Sequence, residues 1–180
     1  EYAYSLWEES PPAAGGERSR IFFPHLIAQR TTQWERGDDP MTQFSFTAGH
    51  DAFGQPRLQT TVVPPRLQRH QHAVVGAGYS SINLNEQRCL VQHVCTDYAQ
   101  PSGRLRILDR PAQVRTYTCK APPVGPDAVA DDPAAALGKQ HRQALALHEQ
   151  FAPAVLPSQG ALPAPDPSFA ELIGHQIHHY

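Results

Sequence analysis

Charge is scarce in this sequence. Only 18% of its 180 residues are Asp, Glu, Lys or Arg, and 15 basic against 17 acidic side chains leave a net charge of -2. A nucleic-acid binder must neutralise phosphates with clustered Lys and Arg, so nucleic acid is excluded as an electrostatic partner, and an acidic partner surface is equally unsupported. Cysteine is scarcer still, at Cys89, Cys95 and Cys119. Three are too few for a disulfide scaffold, and the odd number leaves at least one thiol unpaired within the chain. Reduced, half-buried thiols are the expectation. Apolar residues reach 40%, below the roughly 45–50% of ordinary soluble domains. Charge or proline interrupts every apolar run before the ~20 residues that a membrane helix needs, so no direct membrane insertion is expected. The sequence opens Glu1-Tyr2-Ala3, with no initiator Met and no basic-then-apolar leader; a segment of a longer polypeptide is the expectation.

What is present is one domain's length of chain, punctuated by 18 prolines and 12 glycines. Residues 1–20 read as an irregular lead-in and 21–120 as a β-rich segment. Gln29 to Arg36 is a mostly polar ribbon with Trp34 as its aromatic anchor, turned by Gly37-Asp38-Asp39-Pro40. In Met41 to His50, Phe44, Phe46 and Ala48 share one face and Gln43, Ser45 and Thr47 the other, because successive strand side chains alternate. Asp51 to Pro56 has the residues of a reversing loop, with Gly54 suited to positive φ and Asp51 able to bond its own backbone. Arg57 to Val63 returns as a strand, completing a three-stranded antiparallel meander. Glu86 to Tyr98 and Leu105 to Cys119 are further strands, the second demoted by Pro111 to an edge or a bend.

Residues 121–132 form a proline-rich linker. Asp132-Pro133 then starts a helix over 133–151, an N-cap followed by proline at the first helical position. Leu137, Ala144, Leu145, His148 and Phe151 make its packing stripe. A second proline-rich linker covers 152–167, and Ser168 to Glu171 reads as a capping box opening a short helix over 168–180. The fold class is therefore mainly β, an antiparallel meander of extended strands with one or two C-terminal helices.

No constellation for catalysis stands out. His70 and His72 share a strand face, and His175, His178 and His179 offer an i,i+3 pair on the terminal helix, yet no carboxylate or cysteine accompanies either group at metal-ligand spacing. Cys89 and Cys95 flank His93 on one strand face, too far apart to share an ion without a bend, so burial is the expected role. Glu8-Glu9, Asp38-Asp39 and Asp131-Asp132 are sequence neighbours suited to turns and caps. There is no G-x-S-x-G elbow, and Gly76-Ala77-Gly78-Tyr79 is neither a dinucleotide fingerprint nor a P-loop. No catalytic residue, metal ligand or cofactor is expected; Asp39, Pro40, Asp51 and Gly54 are expected as structural turn residues.

Several segments in order carry a family pattern. They are Thr32-Gln33-Trp34-Glu35-Arg36, Asp39-Pro40, His50-Asp51-Ala52-Phe53-Gly54-Gln55 and Pro65-Arg66. Together they resemble the aromatic-Glu-Arg, Asp-Pro-Arg and Asp-x-Tyr-Gly-Asn-Val signature in the middle region of bacterial insecticidal toxin complex B components, which are Rhs (YD-repeat) shell proteins. Gln87-Arg88-Cys89-Leu90-Val91, Asp97-Tyr98 and Arg110-Pro111-Ala112-Gln113-Val114-Arg115-Thr116-Tyr117-Thr118 are similar to the same region's later strands. Met41, Phe53, Gln55 and Gln113 depart from the family's Arg, Tyr, Asn and Glu.

The resemblance, over roughly residues 20–120, implies a connector between a β-propeller and an Rhs sheet. That sheet winds with a C component into a hollow shell enclosing a toxic enzyme. The implied partners are the rest of the same polypeptide, the C component and the A-component channel, and the implied location is secreted or extracellular. Family self-cleavage and toxin activity lie in the C component, so no catalytic residue transfers. The leading expectation is a non-enzymatic structural segment of that shell. Its rivals are a metal-dependent hydrolase using the His clusters and a free-standing β-rich binding module.

Overall fold

A computed structural model describes residues 1–10, 21–34, 40–65, 88–100, 109–123, 133–151 and 162–179. Seven strands run β1 (Tyr2–Ser10), β2 (Ile21–Gln33), β3 (Met41–His50), β4 (Pro56–Val63), β5 (Arg88–Tyr98), β6 (Pro111–Pro123) and β7 (Ala170–Ile177), with one described helix, α1 (Pro133–Phe151), between β6 and β7. All pair antiparallel with their sequence neighbours in a single open sheet of order β1-β2-β3-β4-β5-β6-β7. The expected mainly β meander is what forms, extended from three strands to seven.

Register turns the period-two alternation into rows that cross the sheet. Phe44 faces Val62, Val62 faces Val91, Val91 faces Cys119 and Cys119 faces Ala170. Each is buried. A parallel row runs Ala28, Phe46, Thr60, His93 and Tyr117, and a third runs Ala48, Leu58, Cys95 and Arg115. Phe44, Phe46, Leu58 and Val62 therefore share the apolar layer their alternation predicts. Cross-strand neighbours of this kind are the units that stabilise a sheet. On the other face Gln43, Gln59, Leu90, Gln92, Thr118 and Lys120 are exposed.

α1 covers this inner face over β3 and β4. Its start at Pro133 agrees with the sequence reading, but the stripe differs. Ala144, Leu147 and His148 are buried and Leu137 is partly buried, whereas Leu145 is 37% exposed. Leu147 lies one residue before His148 and takes the place expected of Leu145.

Other expectations are corrected. The first part of the expected irregular lead-in is a strand: Tyr2–Ser10 is β1, whose alternating Tyr2, Tyr4 and Leu6 suit a pleated ribbon, and 11–20 lie outside the described residues. β2 begins at Ile21 and takes in Pro24. β3 pairs only from Ala28 onward, so Pro24 sits where β1 is the sole neighbour, the position in which a missing N–H is tolerated. Trp34 anchors nothing, being 66% exposed just past β2. β6 is interior, flanked by β5 and β7, because Pro111 is its first residue and opposes Tyr98 at a register shift. It continues through Ala121 to Pro123, where a linker was expected.

The capping box forms no helix. The Ser168 amide instead donates to the Asp166 carboxylate at 2.8 Å, and Phe169 and Ala170 N–H groups donate to the Asp166 carbonyl. That turn feeds β7 onto β6. An isolated helix of eight residues is marginal in water, whereas the edge of β6 satisfies the same backbone groups. The proposed turn at Asp39, the linkers at 124–132 and 152–161, and Glu35 and Arg36 lie outside the described residues; Pro40 directly precedes β3.

The β3–β4 turn matches its sequence reading. Asp51 Oδ1 accepts the Phe53 and Gln55 amides, both at 2.9 Å, and Gly54 donates to the Asp51 carbonyl at 3.0 Å with φ at 79°. A Cβ at Gly54 would also lie 3.3 Å from His25 Nε2. Gly54→Val is expected to destabilise the hairpin by ~1 kcal/mol or more, read as a lower melting temperature; an unchanged melt would count against this role for Gly54.

Candidate functional site

The polar side chains that the inner face encloses gather in two clusters. The first lies beneath α1. Thr60 occupies a core-facing position of β4 between Leu58 and Val62, and its hydroxyl sits 3.0 Å from His93 Nδ1 on β5 and 2.9 Å from His148 Nδ1 on α1. Thr60 is fully buried and His93 is 1% exposed. Phe46 stacks on the His148 ring with centroids 5.0 Å apart, and Tyr117 lies tilted beside His93 at 6.5 Å. Burial, then the charge of His148, pushes His93 down to about 4. Burial also lowers His148 against the opposing pull of Glu149. Both imidazoles are thus neutral at physiological pH, as a desolvated site demands.

The second cluster is centred on Asp97 at the far end of β5. Arg57 Nη2 donates to its Oδ1 at 2.9 Å and Arg115 Nη2 to its Oδ2 at 3.3 Å. The Leu162 amide donates to Oδ1 at 3.2 Å, and Arg115 donates back to the Leu162 carbonyl at 2.7 Å. One carboxylate therefore joins β4, β5, β6 and the chain leading to β7. Asp97 and Arg115 belong to segments singled out by the family pattern, and here they have a structural role.

The thiols are enclosed. Cys89, Cys95 and Cys119 are free and buried, and burial pushes each up to about 11. A thiol so raised is held in its protonated form at neutral pH. They are more deeply enclosed than the half-buried state expected of them.

The histidine groups do not converge. His175 is on β7 and bonds Gln113 at 2.6 Å, while His178 and His179 follow that strand, so the expected helical i,i+3 pair does not exist. His70, His72, Gly76 to Tyr79, Asp38 and Asp39, and Asp131 and Asp132 lie outside the described residues. Among the described residues no group of three His, Cys, Asp or Glu could hold a metal ion. A histidine pair that the sequence did not suggest lies at the β3–β4 turn, where His25 and His50 stack at 4.2 Å with Trp7 against the edge of His25.

Sequence reasoning overlooked Thr60, His148 as a hydrogen-bonding group, and the ion-pair role of Asp97. The available signals were a polar residue in the apolar phase of β4 and His93 in phase with Cys89 and Cys95. Chemically, both clusters tie elements together. Thr60→Val keeps the volume but removes the hydroxyl both imidazoles share, and is expected to cost about 1–3 kcal/mol, read as a lower urea midpoint at unchanged slope. Asp97→Ala removes the carboxylate that two enclosed guanidinium groups share and is expected to cost on the order of 3 kcal/mol; an unchanged midpoint would show that the node contributes nothing.

No protein-family model matches the chain, and no curated protein matches it. Among solved structures the chain is similar to a crystal structure of TcdB2-TccC3-Cdc42, at 19% identity with a TM-score of 0.45, over 66% of this chain and 6% of that one.

Proposed function

We propose that the chain is a non-enzymatic structural segment of a toxin-complex B component, helping to build a shell that encloses and delivers a toxic enzyme. Its partners in this reading are further strands of the same polypeptide, the C component and the A-component channel, in a secreted or extracellular complex. The observation that carries the reading is the open sheet, which leaves large apolar side chains bare. Tyr2, Tyr4, Leu6 and Trp7 on β1 and Ile21, Phe22 and Phe23 on β2 are 47–71% exposed, and Leu172, Ile173 and Ile177 do the same on β7. Both ends of the sheet are thus apolar where a self-contained domain would be polar. Among the described residues β1 and β7 each have a strand on one side only, and such an edge is a template for more chain. The ordered family segments support the reading further: their described residues lie at the end of β2, at the β3–β4 turn, and on β5 and β6.

Expression of the complete source polypeptide with its C component tests this. Electron microscopy should reveal a hollow particle that shields an enclosed chain from added protease, with no stoichiometric zinc. Zinc at one equivalent with hydrolytic activity would favour the metal-dependent hydrolase. The 180 residues purified alone are expected to aggregate or to unfold without one sharp transition. A monomer unfolding cooperatively at ordinary domain stability would sink the shell reading and leave the binding module ahead.

A further inference from the structure

Among the described side chains, the surface that holds α1 to the sheet carries little hydrocarbon. Ala144, Leu147 and His148 are buried and Leu137 is half-buried. Aromatic and polar contacts join them: His148 on Phe46, His141 at the edge of Phe44, the His148 bond to Thr60, and Gln140 donating to the Pro65 carbonyl at 3.4 Å. The helix packs mainly on two strands, whereas each strand is held by a ladder of backbone pairing to its neighbours. If one contact surface gives way first, it is this one.

Thr60 makes that surface sensitive to protons. Its hydroxyl has one hydrogen to donate, and an imidazole nitrogen can accept it only while unprotonated. With both rings protonated, the two Nδ1 atoms become donors aimed at the same oxygen, and two cations lie on either side of a buried hydroxyl. We infer that the His93, Thr60 and His148 bridge is an acid-operated latch, whose protonation frees α1 from the sheet while the strand pairing persists.

The surroundings set the direction of the effect. β5 contributes Cys95 and, further along the face, Asp97, already paired with Arg57 of β4 and Arg115 of β6. β6 adds the Tyr117 ring and Cys119, and β3 the Phe46 ring. α1 itself brings His141 and the exposed Glu149, whose pull on the His148 cation is outweighed by burial. A group lowered on burial supports docking in full above its free value of 6.5. That support is lost as pH falls through the window toward the docked value, about 4 for His93. His50, also lowered by burial, titrates at the separate β3–β4 turn.

The test is backbone hydrogen exchange on the polypeptide as expressed from its source gene, at about pH 7 and about pH 4.5. After correction for intrinsic rates, protection across Pro133–Phe151 should fall ~10-fold or more, while Arg88–Tyr98 keeps its own. His148→Gln offers Thr60 a donor and an acceptor without titrating, and should abolish most of that fall; His141→Gln should leave it unchanged. Deuterium uptake at the imidazole carbons of the native protein needs no variant, and should give His93 and His148 midpoints below 6.5 in the same window. The inference is overturned by α1 protection that is flat with pH, by α1 and β5 losing protection together, or by an undiminished fall in His148→Gln. It is equally overturned by midpoints at 6.5 or above with the helix still docked.

Discussion

The structure depends on the in-register row that crosses five strands from Phe44 through Val62, Val91 and Cys119 to Ala170. A slip of one residue in any pairing would carry that strand's apolar set to the opposite face. The row therefore fixes four antiparallel pairings at once, and the helix can settle on β3 and β4 because Phe44 and Phe46 both point toward it. Tyr117 and Ala121 extend the same layer toward β7. The turn at Asp51 sets the phase of the first pairing, since its carboxylate and the positive φ of Gly54 permit a tight reversal there.

Within that apolar layer the polar groups occur where separate elements meet. Thr60 joins a strand, its neighbour and the helix; Asp97 joins three strands and the segment at Leu162. A buried polar group is costly unless it is bonded, so its partners are constrained in direction as hydrocarbon contacts are not. Burial also fixes the chemistry of these groups. Neutral imidazoles and protonated thiols suit a linkage that holds structure, since burial favours the uncharged form of each.

The two ends of the sheet obey the opposite rule. β1 and the start of β2 carry aromatic residues toward solvent on both faces, and β7 exposes Leu172 and Ile173 on adjacent positions. Strands that are apolar on both faces are written for burial on both faces. The proposed shell would provide that cover by adding strands and layers around the segment, which accounts for a sheet with a well-packed middle and unfinished margins.

How much of this was legible follows from which forces are local. Period-two alternation and the Asp51–Gly54 turn fixed β3, β4 and their common face, and Pro133 fixed the start of the helix, because each signal resides in a few adjacent residues. The Thr60 bridge was not legible, since a threonine in a strand is ordinary until register brings His93 beside it and a helix 88 residues away sets His148 above it. Likewise Ser168 to Glu171 has the local pattern of a helix cap, yet it becomes a strand because the free edge of β6 offers backbone partners that no local pattern reveals. Pro111 reads as the mark of an edge, and β6 is interior because β7 pairs along it from Gln113 onward. Alternation along a strand decides which way a side chain points; which chain segment lies opposite is decided only when the whole sheet has satisfied its hydrogen bonds.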